Sequence, residues 1–506
     1  MSEYKRQHPV AAITNVLKSL RELLVPIVIV FFIGGGGGGG SIFTNPYYLS
    51  IFFSLLLIGS VVSWWRYTYR VEDNELRIEF GLLVRKKSYI PKHRIQVINI
   101  SSGVLQRMFG LVSLNVQTAG GSTPGATINA LTKEEAQWIK DIMSKSDSEP
   151  LTESSDEPIT RQEPEIEVVR ALTFKHLLIA GTTAGSFGVA LSIIGTIMAQ
   201  IQYIDDDTVI NYVENFFKSD ITFIIVLIAA IIFISWLLSI FGTVLAYANF
   251  KISKTSKQIL INRGLFEKKQ ITIPYSRIQA IRIQEGVLRQ PFGYCALYVD
   301  SAGFGEQSGK STVLFPLIAK SEAWDFIRSV VPQYDQMGKK ERPPVRALRR
   351  YMIRTMIPII FVGIIVHYFA NIGWFVTGLL PLGALLGYMR FKAAALTIND
   401  DAVIIRYRNL ALTTAIILRH RIQAASAWDN WFQRRKNLKS GTINIASSDT
   451  GASFLARDFE EHVILDLVEW AEPNYLKKKK QDETEKTAPS REKKDSDISD
   501  WLDTGF

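Results

Sequence analysis

The chain has 506 residues, 47% of them hydrophobic and only 21% charged, and carries a net charge of +10. That length exceeds one ordinary domain. A basic balance fits soluble parts that face anionic lipid, and the gathering of apolar residues into long runs favours lipid over nucleic acid. A single cysteine, Cys295, excludes an internal disulfide and a thiolate zinc cluster.

Six segments, near 22–42, 47–65, 177–200, 221–248, 353–370 and 373–389, are long and apolar enough to cross a hydrocarbon core of about 30 Å. They pair into three hairpins. The first run begins near Leu23 and lacks a convincing cleavage site, so it reads as an anchor. It includes the run Gly34 to Gly40, where each glycine costs about 1 kcal/mol against alanine in a helix. Close helix packing and repeat slippage in the gene both stay open for that run. Gly181 with Gly185, and Gly383 with Gly387, are spaced for close helix approach.

Charge sets the orientation. The connection at 201–220 carries Asp205, Asp206, Asp207, Glu214 and Asp220 against Lys218 alone, and the other two connections have no Lys or Arg. Basic clusters such as Arg66 to Arg70, Arg346 to Arg350 and Lys477 to Lys480 fall on the opposite side. The positive-inside rule then places both termini and all soluble blocks in the cytoplasm of a multi-pass cell-membrane protein. No span carries Asp, Glu, Lys or Arg in its interior, and only His367, near an outer end, is ionisable. Proton-coupled transporters and intramembrane proteases usually need such groups, so the spans read as anchors that pack together.

A soluble block follows each hairpin, and its middle reads Arg-Ile-Gln: Arg94-Ile95-Gln96, Arg277-Ile278-Gln279 and Arg421-Ile422-Gln423. A recurring unit of this kind organises the whole chain. In the second block, alternation over Lys257 to Asn262 ends at the turn Arg263-Gly264, and short strands are expected near 266–273, 277–284, 294–301 and 311–317. Helical spacing then runs from Lys320 to Val331; the first block ends on a helix at about 133–144 and the third at about 458–470. Strands closed by one terminal helix suggest a small antiparallel sandwich or barrel.

Ile273-Pro274-Tyr275-Ser276-Arg277-Ile278-Gln279, with Gly286-Val287-Leu288-Arg289 and Phe292-Gly293, resembles the bacterial pleckstrin-homology (PH) domain. The first block matches through Ile90-Pro91, Arg94-Ile95-Gln96, Gly103-Val104-Leu105-Gln106 and Phe109-Gly110. The third keeps Arg421-Ile422-Gln423 but has Leu418-Arg419 for Ile-Pro and Lys436-Asn437 for Phe-Gly. Two spans then a domain, three times over, is similar to the YdbT-like multi-pass membrane proteins of Gram-positive bacteria. The resemblance implies a seven-stranded sheet with a C-terminal helix, no catalytic activity, and a smaller two-span relative as partner. It does not carry phosphoinositide binding with it.

The expected fold is thus an α+β membrane protein: six transmembrane helices in three hairpins, each followed by a cytoplasmic PH-like β-sandwich or barrel with a C-terminal helix. Its boundaries are a first hairpin at 1–65, PH-like domain 1 at 66–145, a disordered acidic linker at 146–170 and a second hairpin at 171–248. PH-like domain 2 at 249–332, a basic linker at 333–352, a third hairpin at 353–389, PH-like domain 3 at 390–471 and a disordered charged tail at 472–506 complete it.

On an extended strand, Arg94 and Gln96 share a face with Ile98 and Ile100, as Arg277 and Gln279 do with Ile281 and Ile283. Arg94, Gln96, Arg277, Gln279, Arg421 and Gln423 are therefore expected at the rim of an inward face, as fold markers bonded to a neighbouring turn. A lipid-phosphate contact is the competing reading. A better surface candidate is Trp428-Asp429-Asn430-Trp431-Phe432-Gln433-Arg434-Arg435-Lys436 with Lys439, where aromatics adjoin cations as they do at a headgroup boundary. Trp431, Arg434, Arg435, Lys436 and Lys439 are the expected lipid- or partner-binding residues. Trp428 and Phe432, four apart, read equally well as core residues of a short helix.

The six histidines come without HExxH, GxSxG or Walker-type sequences. No catalytic residue, cofactor or metal ligand is assigned, and the chain reads as a non-enzymatic scaffold with possible self-association. It would bind the inner leaflet, a partner or itself and support envelope stress tolerance; a transport or export component is the alternative.

Overall fold

The computed structural model describes residues 4–20, 22, 46–72, 74–82, 84–118, 125–144, 167–183, 221–302, 311–336, 338–370, 373–447 and 451–472. The glycine run Gly34 to Gly40, the acidic connection at 201–220, most of the acidic linker and the charged tail lie outside the described residues. So do most of the expected spans at 22–42 and 177–200. The chain divides into two compact units, residues 1–335 with 447–451, and 336–446 with 452–506.

In the first unit, β1 (Lys5–Arg6) and α1 (Val10–Leu20) precede α2 (Pro46–Arg66). Then come β2 (Thr68–Glu72), β3 (Glu75–Phe80), β4 (Lys86–Pro91), β5 (Ile95–Ser102), α3 (Val104–Met108), β6 (Leu111–Thr118), β7 (Ala126–Thr132) and α4 (Lys133–Ser144). Strands β1 to β4 make one antiparallel sheet, and β5, β6 and β7 belong to a second. Inward alternation on both sheets and a helical stripe on α4 meet in a single core. It joins Leu76, Ile78 and Ile90 to Leu114, Val116 and Ile128, with Ala136, Ile139 and Met143 of α4 closing it.

The second repeat uses the same order. Its elements are β8 (Glu167–Ala171), α5 (Phe174–Thr182), α6 (Ile221–Tyr247), β9 (Lys251–Lys254), β10 (Gln258–Arg263), β11 (Lys268–Pro274), β12 (Ile278–Glu285), β13 (Tyr294–Ser301), β14 (Thr312–Ala319) and α7 (Lys320–Val330). Edge strand β11 pairs with β5 of the first repeat, Lys268 opposite Ser102 through Gln270 opposite Ile100. The two repeats therefore share one seven-stranded sheet, ordered β7-β6-β5-β11-β10-β9-β8.

The second unit holds α8 (Leu348–Ala370), α9 (Gly373–Thr377) and α10 (Leu380–Ala393). They lead into β15 (Ala395–Ile398), β16 (Ala402–Arg408), β17 (Leu412–Leu418), β18 (Ile422–Trp428), α11 (Trp431–Arg434), β19 (Leu438–Ile445), β20 (Ala452–Glu460) and α12 (Glu461–Ala471). Val463, Ile464, Leu467 and Trp470 form the buried stripe of α12. Gly383 and Gly387 of α10 are buried against α8, and a Cβ on Gly387 would meet Met352 Cα at 2.6 Å.

Three repeats of sheet and closing helix are thus present. The first two repeats reach seven strands, and the third six with an isolated bridge, in a way that the order of span then domain does not express. The first strand comes from before the hairpin: β1 pairs with β2 and β8 with β9, and Glu341 bridges Leu396 in the third repeat. In the first two repeats the described helices lie between the first and second strands, and in the third they lie between Glu341 and β15. Strand β8 consequently covers the last residues of the stretch read from sequence as an acidic linker. Of the helices, Val345–Tyr368, 24 residues with a mean hydropathy of 1.6, is the one among the described residues long and apolar enough to cross a membrane.

Candidate membrane-facing surface

In all three repeats the Arg of Arg-Ile-Gln is the last residue of a single 3-10 turn: Lys92–Arg94, Tyr275–Arg277 and Arg419–Arg421. The expected sharing of a strand face by Arg and Gln therefore does not occur. The strand begins at the Ile, and a bulge directly after it breaks the alternation. Gln279 is buried and its Nε2 donates to the Arg277 carbonyl at 3.2 Å, whereas Gln423 is exposed. The side chain of Gln96 lies outside the described residues.

The segment that follows is two-faced. In the first repeat Gly103 N–H donates to Gln106 Oε1 at 2.9 Å, and in the third Asn430 and Gln433 exchange side-chain and backbone bonds at 2.9 and 3.0 Å. Gln106, Arg289 and Gln433 occupy the same place in the three copies. Gln106 Nε2 donates to Ser113 Oγ, and Gln433 Nε2 donates to Ser440 Oγ and to Asp458 Oδ1 at 2.8 and 2.9 Å. The turn then ends in the left-handed region, at Gly110 (φ +67°), Gly293 (φ +71°) and Asn437 (φ +50°). Asparagine tolerates that conformation next best to glycine. The divergent Lys436-Asn437 therefore keeps the geometry of Phe-Gly.

These inward polar residues lie where each domain meets the root of its own hairpin. In the second repeat Arg289 donates to the Ala180 carbonyl at 3.1 Å, to Thr183 Oγ1 at 3.0 Å and to the Pro316 carbonyl at 2.9 Å. In the third, Asp458 is fully buried and accepts from Arg350 Nε at 2.8 Å and from an Arg354 terminal nitrogen at 2.9 Å, both from α8. In the first, His8 N–H donates to the Ala130 carbonyl at 3.1 Å, and Val10 and Ala11 pack on Leu111 and Ala130. Ala130 (φ +54°) and Asp458 (φ +55°) hold the same left-handed strand position. Replacing Arg289 by Ala should cost about 1.5–3 kcal/mol, as for bonds from a charged donor, read as a lower thermal midpoint of the full chain in detergent. Lys should fail to restore it, because the three acceptors use the guanidinium fork.

The opposite face carries exposed apolar groups. Trp431 is 59% and Phe432 65% exposed, their rings edge-to-face at 5.0 Å, and Phe109 and Phe292 are likewise exposed. The core reading of Trp428 and Phe432 does not hold. Trp428 ends a strand, Asn430 caps a four-residue helix, and both rings point away from the domain core. Arg435 lies over the Trp431 ring at 4.7 Å. Arg434 pairs with Asp429 at 2.9 Å, and Lys439 with Glu461 at 2.7 Å. Lys436 is exposed, and its carbonyl accepts from Arg346 Nε at 3.0 Å, at the foot of α8. Arg350 also reaches Asn430 Oδ1 at 3.2 Å. Trp431, Arg434, Arg435 and Lys436 are thereby gathered beside the entry to α8. Sequence reasoning did not find Arg350, Arg354 and Asp458, whose only signal was an acidic residue on a strand.

Two facing sheets, a closing helix and a polar tether to the adjoining hairpin define a protein of three PH-like modules. The bacterial PH domain model matches residues 20–147, 189–331 and 353–484, and the chain belongs to that family. It is 35% identical over 486 residues, 93% of its own length and 98% of the relative's, to the UPF0699 transmembrane protein YdbT of Bacillus subtilis (strain 168). It is 26% identical over 137 residues, 25% of its length and 83% of the relative's, to the UPF0699 transmembrane protein YdbS of the same organism.

Proposed function

We propose that the chain is a non-enzymatic integral membrane scaffold whose three PH-like domains lie at the inner leaflet. Six spans in three hairpins anchor it, with both termini cytoplasmic, and its role is in envelope stress tolerance. Support for the anchoring comes from the charge asymmetry of the connections and from a transmembrane relative that spans nearly the whole chain. The observation that carries the lipid contact is the exposed Trp431 and Phe432 pair, flanked by Arg434 to Lys436, on a segment whose Asn430 Oδ1 and Lys436 carbonyl accept from Arg350 and Arg346 at the foot of α8. Rings and cations in that arrangement suit the headgroup boundary. A single-domain relative of the kind represented by YdbS is the proposed partner, since it matches about one repeat of this chain.

A spin label at Phe432→Cys in the full chain tests the contact. In vesicles with anionic lipid it should be accessible to oxygen and shielded from aqueous quencher. Arg434→Gln, Arg435→Gln and Lys436→Gln together should move it toward water, since each cation near the leaflet contributes about 1 kcal/mol. A label equally aqueous in both chains rules the lipid contact out.

A further inference from the structure

The third repeat contains a cavity of about 280 Å³ lined by five arginines, Arg354, Arg390, Arg406, Arg408 and Arg457, and by no carboxylate. They come from four elements: α8, α10, β16 and β20. The side chains of three of them are held by hydrogen bonds. Arg354 is held by Asp458 at 2.9 Å, and Arg390 Nε donates to the Asn409 carbonyl at 3.0 Å. Arg408 is 7% exposed and donates to the Leu410 carbonyl at 3.1 Å. The backbone of Arg457 is fixed by the Tyr351 hydroxyl, which donates to its carbonyl at 2.7 Å.

Two features call for an anion. Arg406 Nε is buried and has no hydrogen-bond partner among the described residues, a state that buried donors rarely keep. The cluster also repels itself: burial, and then the neighbouring Arg354, push the Arg457 guanidinium below its ordinary range. Asp458 is a carboxylate in contact with a lining arginine, and it also serves Arg350 and Gln433. Like charges gathered around a cavity cost free energy that a multivalent oxyanion offsets, and guanidinium forks match phosphate oxygens in pairs.

We propose that this cavity is a phosphate-binding site, and that its ligand is the phosphate of an anionic lipid headgroup. The source follows from where the arginines stand. Arg354 lies in the first two turns of α8 and Arg390 in the last turn of α10, at the roots of the hairpin that the membrane reading places in the bilayer. The lipid source rests on that reading; the phosphate site does not. Arg406 and Arg457 supply the contacts, while Arg354 is a positioning residue shared with Asp458.

Thermal unfolding of the full chain in neutral detergent tests it, with short-chain phosphatidylglycerol, short-chain phosphatidylcholine or inorganic phosphate added. Phosphatidylglycerol should raise the midpoint, phosphatidylcholine should leave it unmoved, and Arg406→Gln with Arg457→Gln should abolish the rise. Without added ligand that double variant should be no less stable than the parent, because removing two like charges relieves repulsion; arginines that only brace the fold would lower the midpoint. Arg406→Lys, which keeps a charge but not a fork, should retain part of the response. A rise with inorganic phosphate equal to that with phosphatidylglycerol supports the site with a soluble source. A double variant that responds like the parent, or a parent silent to both phosphate and phosphatidylglycerol, overturns it. The label at residue 432 would still report the membrane contact in either case.

Discussion

Asp458→Ala should destabilise the third repeat by about 3–5 kcal/mol, the cost of removing one partner from a buried charge pair. The carboxylate is fully buried and accepts from Arg350, Arg354 and Gln433 at 2.8 to 2.9 Å. Without it, two guanidinium groups whose side chains are only 18% and 33% exposed face each other without a carboxylate, and Arg350 keeps Asn430 Oδ1 as its acceptor. The backbone is not the cause, since Ala130 holds the same left-handed position in the first repeat at φ +54°. Asp458→Asn separates charge from shape: it keeps a residue that tolerates this φ and loses the ion pair. Hydrogen exchange of the full chain in detergent should show loss of protection in β19, β20 and α11 for both variants, with Ala the worse. Unchanged protection in the Ala variant would show that α8 docks by packing alone.

Gly387→Leu should separate α8 from α10. A Cβ at this position would stand 2.6 Å from Met352 Cα and 2.8 Å from the Tyr351 carbonyl oxygen, both backbone atoms that cannot swing aside. Overpacking usually costs about 1–3 kcal/mol, and a clash with backbone belongs at the upper end. The adjoining contact would go as well, because Thr355 Oγ1 donates to the Gly383 carbonyl at 2.7 Å across the same seam. Gly363→Ala in α8 is the control: its added Cβ would meet nothing closer than 3.6 Å. The thermal midpoint should fall sharply for Gly387→Leu and stay near the parent for Gly363→Ala. Equal midpoints would mean that the helices can part at no cost.

Much of each repeat was legible because its signals are local. The alternation of Lys257 to Asn262 and the helical spacing of Lys320 to Val331 are periodicities within one segment, and β10 and α7 form within one residue of where they predict. The turn after the short segment was legible too, once asparagine is accepted in glycine's place at Asn437. The orientation of Trp428 and Phe432 was not. Spacing by four says that two residues share a helix face, but not that a strand ends between them. Nor does it say that Gln433, rather than the rings, is the residue turned inward.

The sequence by itself determined the threefold plan, the closing helices, five strands of the second repeat and the family to which the chain belongs. Those follow from periodicity and a short motif, which need only near neighbours. Tertiary structure alone decided that apolar helices interrupt the first two domains after their first strands, since β1 reaches β2 across more than sixty residues. It also decided which arginines meet: Arg354 and Asp458 are 104 residues apart, and Arg390, Arg406 and Arg457 line one cavity from three different elements. Charge in a sequence gives only totals. The energy of like charges depends on distance in a low-dielectric cavity, and that distance is set by how helix, strand and bulge are packed.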